Sequence, residues 1–485
     1  MKVFIKILLF CFATGVYICS NGTLVYSDTY VSGNITADTV WRKSDSPYIV
    51  TATVQVFQNI TLTIEPGVII KFNPSTGLTI GGKLVAIGTA EAPITFTSNA
   101  PTPASKDWGR IKFVDTAQDA SFDSAGNYSD GCIIKNCLIE FGKGIWCENS
   151  SPLISSNYIR KTSDYGGIFF GGASDKVKIV YNTLEENGFP IYLNGTFASL
   201  EILNNKVRRN YDGLLIETCP AGTLIKDNII EYNGANNVGG ISVRSGSGSI
   251  ISNFISHNQD TSWNAAIYCE NVTFTIHNNQ ILSNHNQAIA SNNSYLTVTN
   301  NQIVGNKGYA VWIEGNHVPG TIRFNDLVNL GDFEIFRFDS NGGSVDATNN
   351  WWGTTDLGTI EQRVFDYYDD ITKVKVIFSP IATASFFPSY VVAYVAANGI
   401  CGGKYPCFSS IQNGVDSAGC FGTGTIYITQ ETYDENVILS SPKVLLFKGG
   451  WDSTFTAIQS NTTINGSLTI SNGSLILDAG GLIVE

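Results

Sequence analysis

The apolar positions of this chain recur with a beat that matches neither a long helix nor a simple hairpin protein. A motif of asparagine, any residue, then an apolar residue returns at Asn136, Asn157, Asn182, Asn205, Asn228, Asn253, Asn279, Asn301, Asn325 and Asn350, spaced 21 to 26 residues apart. Two residues after each comes an apolar partner: Leu138, Ile159, Leu184, Val207, Ile230, Ile255, Ile281, Ile303, Leu327 and Trp352. Five residues on, a second asparagine column appears at Asn187, Asn210, Asn233, Asn258, Asn284 and Asn306. The stretches between are too short for helices and rich in β-branched residues. Each repeat therefore predicts one coil of short strands, and a self-similar period of this length predicts a solenoid whose neighbouring coils pair in parallel. Coils about 4.8 Å apart would place ten rungs along about 43 Å.

Asparagine suits such a corner in two ways. It tolerates the left-handed backbone of a tight bend. Stacked in successive coils, its carboxamide can also bond to the carboxamides above and below. The asparagine columns thus predict architecture, not chemistry. Composition agrees: apolar residues are 43% and charged residues 14%, with 48 glycines and no long Glu/Lys/Arg/Ala runs. The net charge of −12 and the lack of a basic patch argue against nucleic acid and anionic lipid as partners.

These residues resemble the right-handed parallel β-helix repeat proteins of the pectate-lyase-like superfamily. "ITLTIEPGVIIKF" (Ile60 to Phe72) and "DWGRIKF" (Asp107 to Phe113) resemble the opening coils of exported bacterial members, and "NNWWGTTD" (Asn349 to Asp356) resembles their closing coil. The resemblance implies an all-β, right-handed parallel β-helix over residues 22–385. It implies no single activity, because lyases, hydrolases, epimerases, adhesins and scaffolds share this fold.

The ends carry other signals. Residues 1–20, "MKVFIKILLFCFATGVYICS", read as a secretory signal with a short apolar run. No segment has the length of a membrane span. Ile18 is too bulky for the usual lipoprotein site before Cys19. After Trp352, apolar residues at Leu357, Ile360, Val364, Tyr367 and Ile371 have helical spacing, with Thr355 or Asp356 as cap. They predict an amphipathic helical lid over Asp356 to Asp370. Its acidic end, Asp366, Asp369 and Asp370, lacks the ligand spacing of a cation loop. Beyond "SPIATASFFPSY" (Ser379 to Tyr390), residues 390–485 start again: a short helix in "CFSSIQNGVDSAG" with Phe408, Ile411 and Val415 inward, then "TIYIT", "NVIL", "VLLFKGG" and "SLTISNGSLIL". This resembles the first coils of a second β-helix, with an edge free to meet a partner. One disulfide is expected among Cys401, Cys407 and Cys420. Cys132, Cys137, Cys147, Cys219 and Cys269 read as buried apolar residues.

Candidate chemistry lies on one strand of each coil, whose inward residues are Ile145, Ile168, Ile191, Leu214, Ile241, Ile267, Ile289 and Val311. Alternation puts Trp146, Phe169, Tyr192, Leu215, Ser242, Tyr268, Ala290 and Trp312 outward. Two residues further, the outward column reads Glu148, Gly171, Asn194, Glu217, Arg244, Glu270, Asn292 and Glu314. Trp146, Phe169, Tyr192, Tyr268 and Trp312 are the candidate glycan-binding residues, since aromatic rings offer apolar faces to sugars. The competing reading is a polysaccharide lyase or glycoside hydrolase, in which Glu217 and Glu270 hold a cation or act as acid and base and Arg244 abstracts a proton. A plain salt-bridged ladder of Glu217, Arg244 and Glu270 explains the same residues.

Enzyme motifs are sparse. No Asp-Pro-His-Asp or Gly-His-Gly stretch is present, and "RIK" at Arg110 to Lys112 precedes the repeats. His257, His277, His285 and His317 form no compact group, and the initiator is the single methionine, so soft-metal ligands are few. No cofactor is expected; Ca2+ is the metal left open. The sequence therefore predicts an exported, non-catalytic protein, secreted, periplasmic or on the cell surface, that binds a polysaccharide or cell-surface glycan or serves as a scaffold. Eleven Asn-x-Ser/Thr sequons accompany the Asn/Ser/Thr-rich composition, which by itself generates such triplets.

Overall fold

The computed structural model describes residues 17–18, 24–25, 28–163, 166–234, 239–259, 265–315, 320–338, 343–387, 392–404, 406–417, 422–439, 443–471, 473–477 and 481–485. The proposed signal segment, His317 and Cys420 lie almost wholly outside these residues. The chain divides into two compact units, residues 1–383 and 384–485.

The first unit is a parallel β-solenoid with three sheets, and each coil contributes one strand to each. The first sheet stacks Leu78–Ile80, Ile111–Phe113, Ile145–Glu148, the openings of Ile168–Val180 and Ile191–Leu203, Leu214–Ile216, and onward to Val311–Glu314, Ile335–Arg337 and Val364–Phe365. The second sheet stacks Thr61–Ile64, Lys83–Ile87, Ile133–Lys135 and Leu153–Ser155, then the later parts of the long strands. The third stacks Ile69–Phe72, Ile94–Ser98, Cys137–Glu140, Tyr158–Arg160, Thr183–Glu185, Lys206–Arg208 and Ile229–Glu231. Strands alternate inside and outside, so one set of Ile, Val and Leu from all three sheets fills a continuous core. The inward residues of the first sheet, from Ile145 to Val311, are at most 1% exposed. Each such side chain contributes about 1.5–3 kcal/mol on burial.

Two asparagine ladders run along the corners. In the first, which joins the second sheet to the third, Asn157, Asn182, Asn205, Asn228, Asn253, Asn279, Asn301 and Asn325 each send N and Nδ2 to Oδ1 of the next asparagine, ending at Asn350. Nδ2 also bonds a carbonyl of the preceding coil, as Asn205 does to Ile179 at 2.8 Å. The second ladder runs from Thr162 through Asn187, Asn210, Asn233, Asn258, Asn284 and Asn306 to Asn329.

The register corrects the sequence reading at two points. Leu138 pairs with Tyr158, which puts Cys137, not Asn136, opposite Asn157. Cys137 N donates to Asn157 Oδ1 at 3.0 Å, and Ile139 is the inward partner. Asn136 instead takes the left-handed position of the corner, at φ 51°. That position always precedes the ladder residue: Ser156, Tyr181, Asn204 and Asp227 occupy it in the next coils. The ladder asparagines are therefore selected for their carboxamides, not for left-handed backbone.

The outer surface of the third sheet carries alternating charge, Glu140, Arg160, Glu185, Arg208 and Glu231 in register. Arg160 bonds Glu140 at 2.7 Å, and Glu185 accepts from Tyr158, Arg208 and Arg209. Opposite charges on directly paired strands stabilise the stack.

The closing lid differs from expectation. Only Leu357–Glu361 is helical, with the Asp356 side chain accepting from Thr359 N at its start. The chain then returns to the first sheet, where Val364 pairs with Ile335 and Phe365 with Phe336. Of the apolar positions with helical spacing, Ile360 and Val364 are buried, whereas Leu357, Tyr367 and Ile371 are exposed. Pairing with an open strand edge satisfies the backbone groups that a longer helix would have satisfied internally. Asp366 then accepts from Tyr368 N and Val376 N.

In the second unit, helix Ile411–Ser417 buries Ile411 and Val415 in a separate core with Val395, Ile426, Leu445 and Phe447. Strands Val392–Val395, Gly422–Thr429, Lys443–Trp451 and Ser474–Leu477 pair in parallel. Cys401 and Cys407 form a disulfide. The five cysteines of the solenoid are buried thiols. No helix among the described residues is long and apolar enough to cross a membrane.

Candidate ligand-binding face

The outer surface of the first sheet carries every residue singled out for chemistry. Register is strict: Trp146, Phe169, Tyr192, Leu215, Ser242, Tyr268, Ala290 and Trp312 lie directly opposite one another in successive coils. The column runs on to Phe336 and Phe365. Phe336 escapes the sequence reading because the second asparagine of its coil, Asn329, falls four residues after Asn325 instead of five, and Phe365 because the helix Leu357–Glu361 intervenes in its coil.

The rings are used unequally. Trp146 has both faces occupied, by Phe169 stacked at 3.8 Å and by the Arg110 guanidinium at 4.1 Å. Arg110 lies in the "RIK" stretch, and its guanidinium packs on the Trp146 ring. Phe169 and Trp312 are buried, the latter in a satellite cluster with Ala265, Ala290, Tyr268, Tyr309 and Phe336. Phe336 in turn stacks on Tyr309 and Phe365 at 4.9 and 4.6 Å. Tyr192 and Tyr268 are half-buried and carry polar partners. Tyr192 is tilted at 60° to Phe169, and its hydroxyl accepts from Asn194 Nδ2 at 3.2 Å. Burial pushes the Tyr268 hydroxyl up, against a hydrogen bond from Asn292 that lowers it; the Glu270 and Glu314 carboxylates raise it further.

Between the two tyrosines the column is low. Leu215 and Ser242 are buried, and Ser242 Oγ has no hydrogen-bond partner among the described residues. Beside them, Arg244 bridges two carboxylates, Glu217 at 3.2 Å and Glu270 at 3.5 Å. All three are about one-third exposed, so the bridges contribute little to stability. Both carboxylates are thereby committed to one cation, which leaves neither poised as a lone acid or base. On the column from Glu217 to Glu314, three carboxylates face one guanidinium, for a local charge of −2.

The histidines stand elsewhere. His257 stacks on Tyr232 at 4.9 Å, and His277 Nδ1 meets the Thr299 hydroxyl at 3.0 Å. Burial, aided by Lys307 and His257, holds His285 below its ordinary value. Among the described residues, no three His, Cys, Asp or Glu side chains gather as a metal site.

The family described as right handed beta helix region matches residues 121–238 and 201–327, and the pectate-lyase like beta helix domain matches residues 33–130. The chain is a right-handed β-helix repeat protein. Protein bark beetle of Drosophila melanogaster is 38% identical to this chain over 86 residues, which are 17% of this chain and 3% of that protein. Two structures of the periplasmic alginate epimerase AlgG overlay 94% of this chain and 85% of theirs. Their identities are 11% and 12%, with TM-scores of 0.34 and 0.27. None of these likenesses bears on the chemistry of the β-helix face.

Proposed function

We propose that this β-helix is an exported, non-catalytic protein that binds a neutral polysaccharide or cell-surface glycan along the first sheet, from Tyr192 to Tyr268. The observation that carries the reading is the Glu217–Arg244–Glu270 bridge set between Tyr268 and Tyr192, whose hydroxyl accepts from Asn194. Paired charges and an amide-held hydroxyl offer donors and acceptors to sugar hydroxyls without a free proton-transfer group. The stretch covers three coil steps, about 14 Å, which suits a short run of sugar rings. Trp146 and Phe169 act as packing at its margin. The net charge of −1 on this stretch, from Glu217, Arg244 and Glu270, disfavours polyuronates, since screening over about 8 Å at physiological salt does not remove repulsion at contact. Export is supported by the apolar N-terminal run and by the Cys401–Cys407 disulfide, a bond typical of oxidising compartments.

The test is a panel of neutral and acidic polysaccharides, with and without calcium, assayed for retention and for new reducing or unsaturated ends. Retention that is lost on Tyr192→Ala and Tyr268→Ala, without products, supports the proposal. Products that vanish on Glu217→Ala or Arg244→Ala make the protein a lyase or hydrolase. No retention at all makes it a scaffold.

A further inference from the structure

The structure divides the asparagines of this chain into two populations. None of the ladder asparagines, from Asn157 to Asn350 and from Asn187 to Asn329, starts an Asn-x-Ser/Thr triplet. Their Nδ2 atoms are buried and committed, as in Asn228, which donates to Asn253, Ile202 and Lys226. The sequon asparagines are the reverse. Asn34, Asn59, Asn127, Asn149, Asn194 and Asn271 are all exposed, and Asn292 is half-buried.

Their placement is more restricted still. Asn34 lies within the first-sheet part of its strand, opposite Gln55 and one residue before the strand ends, and Asn59 follows Tyr48–Val56 before Thr61–Ile64 of the second sheet. Asn127 lies in the hairpin between Ile111–Phe113 and Ile133–Lys135, and Asn149 lies between Ile145–Glu148 and Leu153–Ser155. Asn194 and Asn271 sit where Ile191–Leu203 and Ala265–His277 pass from the first sheet to the second. Asn292 ends Gln287–Asn292 of the first sheet. Six of the seven described sequons of the first unit thus occupy one corner of the coil, and Asn34 stands one residue short of it on the first sheet. The corner between the second and third sheets holds more asparagine, including Asn136, Asn204, Asn278, Asn300 and Asn349 at exposed or left-handed positions, yet it holds no sequon. Composition alone would fill that corner first.

We infer that the corner joining the first and second sheets is an N-glycosylated edge. In this modification Nδ2 of asparagine forms a bond to the anomeric carbon of an oligosaccharide. The bond from that carbon to a lipid diphosphate breaks, the diphosphate leaves, and Nδ2 gives up one proton. The co-reactant is the lipid-diphosphate-linked oligosaccharide of a secretory membrane, and a transferase other than this chain catalyses the step. The acceptor atom of Asn149 suits it, whereas Asn194 Nδ2 donates to the Tyr192 hydroxyl. Asn149 accepts Ala173 N through Oδ1, which keeps Nδ2 uncommitted among the described residues. The Thr196 and Thr273 side chains of the Asn194 and Asn271 triplets belong to exposed residues. The row is interrupted between Asn194 and Asn271, the coils that carry Glu217 and Arg244; Asn194 itself holds the Tyr192 hydroxyl through Nδ2, so a glycan there would replace that contact at the end of the proposed binding stretch. The inference shares the export step and Asn194 with the proposed function.

The full chain, placed behind a heterologous secretion leader in a eukaryotic host, is purified and treated with peptide-N-glycosidase in heavy-oxygen water. Peptide mass spectrometry then reads each site. Sugar is expected at Asn59, Asn149, Asn194 and Asn271, and Thr61→Ala, Thr196→Ala and Thr273→Ala should each remove one glycan from the intact mass. Unmodified peptides at all four sites in the secreted, disulfide-bonded chain would overturn the inference, as would sugar confined to Asn461 and Asn465. Glycan retention in the binding panel is scored separately on unglycosylated protein, so either reading can fail alone.

Discussion

A single buried carboxamide shows how much one side chain does here. Asn228 receives two donors from Asn205, sends two to Asn253, and bonds the carbonyls of Ile202 and Lys226. Asn228→Ala strands Asn205 N and Nδ2 in a dry corner. It should lower unfolding free energy by about 2–4 kcal/mol, since each orphaned buried group costs about 1–3. Urea titration checks this, and an unchanged midpoint means the ladder is ornamental. Arg244→Ala, on the half-exposed face, should cost less than about 1 kcal/mol. Glu185 adds a pH dependence. Burial pushes its carboxyl up, but the Tyr158 hydroxyl and Arg208 outweigh burial and hold it below the ordinary carboxylate range. A folded-state value below the unfolded one gives stability that is present above the usual glutamate pKa near 4.3 and lost as pH falls through the lower value. The drop in urea midpoint from pH 5 to pH 3 should be shallower in Glu185→Gln; an identical slope would remove Glu185 from the acid response.

Elements were legible where the interior dictates them and illegible where edges compete. The period of the asparagine and isoleucine columns reports a dry core, and the strands follow. The register around Asn136 was misread because the sequence carries asparagine at both the left-handed and the ladder position of that corner, and only backbone pairing separates the two. The closing helix was overread because Val364 fits helical spacing and strand pairing equally, and an open edge of the first sheet decided the contest. Ile360→Ala should therefore cost about 2–4 kcal/mol, as a buried truncation. Leu357→Ala should stay within about 0.5 kcal/mol, because Leu357 is half exposed. Equal losses in thermal or urea unfolding would restore the longer amphipathic lid. On the binding face, outward alternation located every column, but whether rings face each other or solvent depends on Arg110 and on loop residues that no periodicity encodes.

At the scale of the molecule, the solenoid closes on itself before the second unit starts. Asn349 N donates to Pro380 O, and Ala382 N donates to Asn350 O. A chain cut after Thr383 should remain folded and β-rich by circular dichroism, with a cooperative transition; loss of that transition would tie the two units together. The ladders also have a direction. Every carboxamide turns Oδ1 toward the earlier coil and N–H toward the later one, so their dipoles add along the axis and leave a partial positive end at the last rung. The second ladder meets that end with a carboxylate: Glu334 accepts from Asn329 N and Nδ2, both at 2.8 Å, and Arg363 closes the set. Inside the stack each rung presents the same acceptor behind and the same donors ahead, so at the ladders an interior coil can join any two others. Length is then a free variable of this architecture, adjustable one coil at a time by gene duplication, while Thr162 and Glu334 stay fixed as the terminators that any longer or shorter version must keep.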